Sequence, residues 1–418
     1  MMKMKSALKA LKKRWVISIL LLIQFTFGLS TITGSVNVFY NLFYLKNNSL
    51  LDLTSTYLIT SKNPEVADER KFKKEQAEQI FNKLKKNKDV ISYGTYYEEF
   101  LPVAASSVPL NSKLLSELNQ TNLGMDKPAI RAIVIDGNYN QLLNLQVEQG
   151  KRFSAQDFTY NQNEKTNILV GSYFKKYFRI GDVINNQYTI IGFLPKDKYI
   201  VNNNTTNTYL KLDKAAVMPM PADINNNYAA MFSRLHGGTI LKLRKGADVE
   251  KLIQSIQIRG DNSQMYLKNL GVEIQQNIKS NSYTEIPQII LGLSFILFSV
   301  IGIVATTFIS IMMRKREFGV KLVLGESKYG LFIQILLENL LIGIVGMGLS
   351  LIHFIWKYSG LLKISNEFNL ASALDFKMNA SIVFPVFSVL LLVMILSNLI
   401  VFLFIRNLEP KSLIGGME

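Results

Sequence analysis

Apolar and charged residues are segregated along this chain sharply enough to set its architecture. No Asp, Glu, Lys or Arg occurs from Trp15 to Leu45, from Ile286 to Met313 or from Met378 to Ile405. A fourth apolar interval, Tyr329 to Trp356, carries only Glu338. About 20 apolar residues cross the hydrocarbon as a helix, and each interval is longer than that. A helix satisfies its own backbone polar groups, which lipid cannot do. The pattern predicts four transmembrane helices, over 15–45, 286–313, 328–357 and 378–405.

The polar remainder falls into pieces of unequal size. Residues 46–285 form one large domain inserted between the first and second helices, and its patterning is mixed α/β. Glu69 to Leu84 has Phe72, Ala77, Ile80, Phe81 and Leu84 near one helical face. Asp89 to Tyr97, Ala129 to Ile135, Thr166 to Val170 and Tyr188 to Leu194 read as strands. Asp136-Gly137 reads as a turn pair. Asp248 to Ile258 and Gln264 to Ile278 read as helices, and the Asn-rich stretches 202–207 and 225–227 as loops. No internal repeat is present.

Basic residues orient the spans. Residues 1–14 hold Lys3, Lys5, Lys9, Lys12, Lys13 and Arg14 without an acid. The 314–327 connection holds Arg314, Lys315, Arg316 and Lys321, and the 406–418 tail holds Arg406 and Lys411. With four spans these segments share one side, which the positive-inside rule makes cytoplasmic. Residues 46–285 and the 358–377 loop then lie outside. A cleaved signal peptide also starts basic and then turns apolar, but its apolar core is shorter than 15–45.

Composition narrows the function classes. The chain has 418 residues, 48% of them hydrophobic, 19% charged, with a net charge of +16. In a soluble protein that charge would suggest nucleic acid; here it clusters beside spans, so no nucleic-acid partner is expected. There is no cysteine, which excludes disulfides, thiolate metal sites and cysteine nucleophiles. The two histidines, His236 and His353, lack ligand spacing. No catalytic constellation or metal cluster stands out, and no G-x-x-x-x-G-K-[ST] phosphate loop is present. The chain is not expected to be an enzyme.

Met313 to Leu341, MRKREFGVKLVLGESKYGLFIQILLENLL, is the most informative segment. Glu317 and Lys321 sit four apart and can pair on a helix. Phe318, Leu322 and Val323 give that short helix an apolar stripe. Gly325 suits a helix C-terminus, and Ser327 can cap the next helix. Such an amphipathic helix lies in the membrane interface or docks into a groove on a partner. Glu338 is the one charged residue inside a span, costly in lipid and a functional candidate. Gly343, Gly346 and Gly348 would allow close helix packing.

The run R-K-R-E-F-G-V-K-L-V-L-G-E-S resembles the signature of FtsX/MacB-type ABC transporter permeases, roughly R-R-R-E-I-G followed by a hydrophobic, a basic and G-A-S. Glu338 in L-L-E-N-L-L, the tail R-N-L-E-P-K-S-L, the turn G-K-R-F-S-A-Q-D and the run N-I-L-V-G-S-Y-F-K-K-Y-F-R-I-G-D with Y-T-I-I-G-F-L resemble further family elements. The first span departs, reading Q-F-T-F-G-L-S-T-I-T-G-S where the family often has I-G-I-x-x-G-V. The resemblance implies a permease subunit in the bacterial cytoplasmic membrane with both termini inside. It implies that 314–327 is a coupling helix whose Arg316, Glu317, Phe318, Gly319, Lys321, Leu322, Gly325 and Ser327 meet a cytosolic ABC ATPase dimer. ATP and Mg would be bound by that ATPase, with no cofactor in this chain. Other implied partners are a second copy or related permease subunit, a membrane-fusion adaptor and membrane lipid. The implied mode is mechanotransmission, for export of a peptide, antimicrobial or lipid-linked substrate. The alternative is a regulatory subunit that signals to a cell-wall hydrolase or sensor.

Overall fold

The computed structural model describes residues 7, 11–12, 15–62, 74–103, 114–115, 118, 128–201, 208–257, 264–367, 370–372 and 380–407. Its named helices are α1 (Trp15–Asn48), α2 (Lys74–Lys86), α3 (Gly137–Leu142), α4 (Tyr228–Leu235), α5 (Val249–Ile256), α6 (Leu270–Met313), α7 (Lys315–Val323), α8 (Lys328–Glu367) and α9 (Ala380–Arg406). Among the described residues, four helices are long and apolar enough to cross a membrane: α1, α6, α8 over Lys328–Gly360, and α9. The chain divides into a helical unit (Met1–Tyr40, Ser280–Leu362, Asp375–Glu418) and a sheet unit (Asn41–Lys279, Lys363–Leu374).

In the helical unit the spans pack through small and apolar side chains. Leu21, Phe25, Leu29 and Ile32 of α1 meet Ile296 and Ile303 of α6, Ile342 of α8 and Val386, Leu390 and Val393 of α9. Gly28 and Gly292 face each other; a Cβ on Gly28 would lie 3.1 Å from the Gly292 carbonyl oxygen. Of the three glycines expected to admit close packing, Gly343 abuts Met394 and Gly346 abuts Phe25, whereas Gly348 faces open space. The spans are not purely apolar inside. Ser30, Thr33 and Asn37 are buried along α1, and Ser30 Oγ lies 2.8 Å from His353 Nδ1. Asn339 donates to Asn398 at 2.9 Å. Hydroxyls and amides thus supply interhelical contacts without a charge.

The sheet unit is built on strands β1 (Thr56–Ser61), β2 (Val90–Pro102), β3 (Ala129–Ile135), β4 (Gln149–Gly150), β5 (Thr166–Val170), β6 (Val183–Ile184), β7 (Tyr188–Phe193), β8 (Tyr199–Val201), β9 (Thr208–Lys211), β10 (Ala215–Pro219), β11 (Thr239–Leu243), β12 (Met265–Asn269) and β13 (Leu370–Ser372). The large sheet runs β12-β1-β11-β2-β3-β10-β5-β7-β4, with β6 beside β7; β13-β9-β8 form a small sheet. The pairings β3–β10 and β5–β7 are parallel and the others in the large sheet antiparallel.

Alternation along the strands builds a core on each face. Leu58, Ile133, Leu169 and Ile240 enter one cluster. Their neighbours Val134 and Ile168 enter a second, and Ile59 and Leu241 a third, under Ala77, Ile80 and Leu84 of α2 and Leu252 and Ile256 of α5. Burial on both faces explains why β10 reads as an unbroken apolar run and β3 as one interrupted only by Arg131.

Several expectations change. The helix expected over Glu69 to Leu84 is described as α2 over Lys74–Lys86, and residues 69–73, Phe72 among them, lie outside the described residues. Gln264 to Ile278 is split: Met265–Asn269 pairs with β1, Leu58 opposite Lys268, and helix begins at Leu270. An open edge on β1 outweighs helical propensity there, because the two-residue alternation of Met265 and Leu267 matches the sheet face. Asp136-Gly137 is a helix start: the Asp136 carboxylate accepts from the Tyr139 N–H and caps α3. Residues 225–227 sit in and after a 3-10 turn, Ile224–Asn226, seated by buried Ile224. Residues 202–207 lie outside the described residues. Helix α6 also starts well before Ile286, and its first residues count with the sheet unit.

Candidate functional site: the helix between the second and third spans

Helix α7 is short, and its ends are determined by its own sequence. Arg314 breaks from α6 with φ −104° and ψ 15° and precedes the first turn. At the other end Gly325 has φ +92°, the left-handed conformation that glycine adopts without a Cβ penalty. The Glu326 N–H donates to the Lys321 carbonyl at 2.9 Å, and the Gly325 N–H to the Leu322 carbonyl at 3.1 Å. This paired closure is a Schellman motif. Ser327 Oγ then accepts from the Gly330 N–H at 3.0 Å and caps α8. Two residues, Gly325 and Ser327, thereby reverse the chain between helices.

The side chains of this region close into a polar ring. Arg314 donates to Glu317 through Nε and Nη2, each at 3.0 Å, and through Nη1 to Glu338 Oε1 at 3.0 Å. Lys321 Nζ lies 3.1 Å from Glu317 Oε1 and donates to Gln334 Oε1 at 3.0 Å. Gln334 Nε2 reaches Glu338 Oε1 at 3.5 Å, which returns the ring to Arg314. The fork of Arg314 suits the carboxylate of Glu317, giving two parallel charge-assisted bonds. These bonds, together with that from Lys321, hold the Glu317 carboxyl down to about 2.

Glu338 was expected to stand alone within its span. It is fully buried but paired, because Arg314 reaches it from the helix junction. A buried carboxylate of this kind requires its partner: an unmatched charge in a low-dielectric setting costs several kcal/mol, about 3–5 when one partner is removed.

Phe318 fills the apolar side of the same junction. It is 1% exposed and packs with Ile311 of α6, Leu331 and Ile335 of α8, and Val401 and Ile405 of α9. The Arg314 guanidinium sits 4.7 Å from its ring centroid, a favourable cation–π contact. The expected apolar stripe is therefore divided. Phe318 points inward and Leu322 packs beside it, but Val323 is exposed. Gly319 is buried and Arg316 exposed. The open apolar surface consists of Val320, Val323 and Leu324, 53%, 67% and 80% exposed. Sequence reasoning passed over Arg314 and Gln334 as ring members. The signal was available in spacing: Arg314 is three residues before Glu317, and Gln334 four before Glu338.

Comparisons with known proteins cover both units of the chain. Residues 18–258 match the MacB-like periplasmic core domain, and residues 289–410 match the FtsX-like permease C-terminal domain. The chain belongs to the FtsX/MacB family of ABC transporter permeases. Both matched regions are permease domains. A curated relative, the macrolide export ATP-binding/permease protein MacB of Campylobacter fetus subsp. fetus (strain 82-40), is 25% identical over 229 residues, 49% of this chain and 32% of the relative. The permease thus spans about a third of the length of that relative. Among solved structures it is similar to the extracellular domain of the noncanonic ABC-type transporter YknZ from Gram-positive bacteria, with TM-score 0.33 and 11% identity over 51% of this chain and 98% of that one. The periplasmic region of MacB from Actinobacillus actinomycetemcomitans gives TM-score 0.34 and 14% identity over 54% and 93%. The permease is a multi-pass membrane protein whose sheet domain, between the first two spans, is extracytoplasmic.

Proposed function

We propose that this permease works by mechanotransmission, with ATP and Mg held by a separate cytosolic ATPase dimer that moves α7. The observation that carries this reading is the double attachment of α7. The polar ring ties it and the α6–α7 junction to α8, and Phe318 seats it among α6, α8 and α9. A push on α7 is then not absorbed locally but passed to the spans. On this reading the residues have three jobs. Glu317, Phe318, Gly319, Lys321 and Leu322 fasten the helix, with Arg314, Gln334 and Glu338. Arg316, Val320, Val323 and Leu324 face the ATPase, while Gly325 and Ser327 set the turn into α8.

The permease acts as a homodimer or with a related subunit, in the bacterial cytoplasmic membrane with both termini inside. Its substrate is a peptide, antimicrobial or lipid-linked compound moved outward. The macrolide-export name of the curated relative supports export over signalling. Because the chain has no cysteine, one Leu324→Cys substitution gives a unique label. An impermeant maleimide should reach it only from the cytoplasmic side, and a tagged chain should bring down an ATPase subunit. Val323→Asp together with Leu324→Asp should cut that recovery about tenfold, the scale of a lost interface contact near 1.4 kcal/mol, without lowering Tm. Labelling from outside alone, or purification without any ATPase, would sink the proposal.

A further inference from the structure

We infer that the sheet domain carries a binding site for a phosphate-bearing anion, in the cleft between the Gly150–Asp157 turn and strands β5 and β7. The cleft encloses about 530 Å³, within the size range of small-molecule sites. Lys151, Arg152 and Lys165 line it against a single carboxylate, Asp157. That carboxylate is engaged by the turn and by β5. Its Oδ2 accepts from the Ser154 N–H at 2.6 Å and the Ser154 hydroxyl at 2.9 Å, and its Oδ1 from the Asn167 amide at 2.6 Å. Glu164, next to Lys165 in the chain, is likewise turned onto Asn161, accepting from its N–H at 2.9 Å and its amide at 3.1 Å.

The three cations therefore make no ion pair among the described residues. Elsewhere in the domain Arg131 pairs with Glu98, Lys175 with Glu148, Lys242 with Asp52 and Lys268 with Glu273, whereas here three unpaired cations share one lining. Unmatched positive charge is concentrated in one concavity, where walls of lower dielectric strengthen attraction to an anion.

The cationic wall is held in place by backbone. Gly150 has φ +97°, and a Cβ there would strike the Ile191 carbonyl. That close approach lets the Lys151 N–H donate to the Ile191 oxygen at 2.9 Å, so Lys151 and Arg152 leave a fixed sheet edge. Lys165 approaches from the start of β5, and Thr189 on β7 adds a hydroxyl to the lining. Three cations around a cavity of this size fit a ligand with more than one anionic oxygen group, such as a diphosphate. The guanidinium fork of Arg152 matches phosphate geometry.

Two sources share that chemistry, a soluble phosphorylated compound and a lipid headgroup. The test uses the full-length permease in detergent, titrated calorimetrically with inorganic pyrophosphate and then with dihexanoyl-phosphatidylglycerol as competitor. Saturable, salt-sensitive binding is expected. The pair Arg152→Gln with Lys165→Gln should weaken it roughly tenfold, the loss expected for two charge-assisted contacts. Lys245→Glu, at an exposed lysine that does not line the cleft, should leave it unchanged. Displacement by the short lipid supports the site and identifies a headgroup; retention of pyrophosphate supports it and identifies a soluble ligand. No saturable binding overturns the inference. So does equal weakening by Lys245→Glu, or full binding in the double variant when its Tm matches the parent. The inference stands apart from the ATPase reading, whose own test does not touch this cleft.

Discussion

Two buried polar clusters, one in each unit, solve the same problem differently. In the sheet domain Asp136 Oδ2 accepts from the Thr95 N–H at 2.9 Å and the Thr95 hydroxyl at 2.7 Å, while Oδ1 accepts from the Tyr139 N–H at 2.6 Å. Arg234 donates not to that carboxylate but to Thr95 Oγ1 and Asn225 Oδ1, each at 2.9 Å. Neutral groups of β2, α3 and the Ile224–Asn226 turn satisfy the charges. In the helical unit Arg314 donates directly to two carboxylates from different helices, and Lys321 closes the ring. The first arrangement caps one helix and fixes one strand. The second joins α7 to α8 by direct ion pairs between residues no more than 24 apart, whereas the first reaches across 139 residues from Arg234 to Thr95. Burial pushes the Asp136 carboxyl up, with the Thr95 bonds opposing it, whereas Arg314 holds Glu317 down to about 2. At Glu317 the bonds from Arg314 and Lys321 outweigh burial, whereas at Asp136 burial outweighs the hydrogen bonds and the more distant Arg234 charge.

The largest effect is expected from breaking the direct pair. Arg314→Ala leaves Glu338 buried without its cation and should destabilise the helical unit by about 3–5 kcal/mol. Thermal unfolding in detergent measures it. The double variant with Glu338→Gln should recover a large part of that loss, because the stranded charge is gone. Strict additivity of the two changes would show that the pair is not coupled.

Asp136→Ala should cost less, about 2 kcal/mol, from a lost helix cap and unmet donors on Thr95. Hydrogen exchange should localise that loss to β2 and α3. An effect as large as that of Arg314→Ala would erase the proposed distinction between the clusters.

The smallest effect is in pH. The Glu317 carboxyl falls from 4.5 to about 2 on folding, so its contribution is present above pH 4.5 and is lost as pH drops from there toward 2. Tm of the parent and of Glu317→Gln should therefore converge across that window. The carboxyl is partly exposed, and salt should shrink the gap. Asp136 has the opposite sign: folding favours its protonated form, so its own contribution weakens as pH rises past the ordinary value of 3.8. A Tm gap at Glu317 that widens in acid would contradict the ring.

Much of the fold was legible residue by residue. Strands β3 and β5 begin and end where Ala129 to Ile135 and Thr166 to Val170 were expected to, since both lie between strong turn formers. Gly325 and Ser327 were readable because a helix end and a cap depend on a few adjacent residues. Met265–Asn269 was not, because its partner, β1, lies some two hundred residues away. Phe318 was misread for a similar reason. Its own helix offers both an inward and an outward side, and only Leu331, Ile335, Val401 and Ile405 decide which is which.

By itself the sequence determined the four apolar spans, the inserted α/β domain, the turn from α7 into α8 and the family, all properties of local composition and short spacing. Tertiary structure alone decided that Glu338 is paired, that Val320, Val323 and Leu324 rather than Phe318 are open, and that three cations share one unmatched cleft. Those outcomes depend on residues far apart in the chain meeting at a few ångströms, a distance that hydropathy and periodicity do not encode.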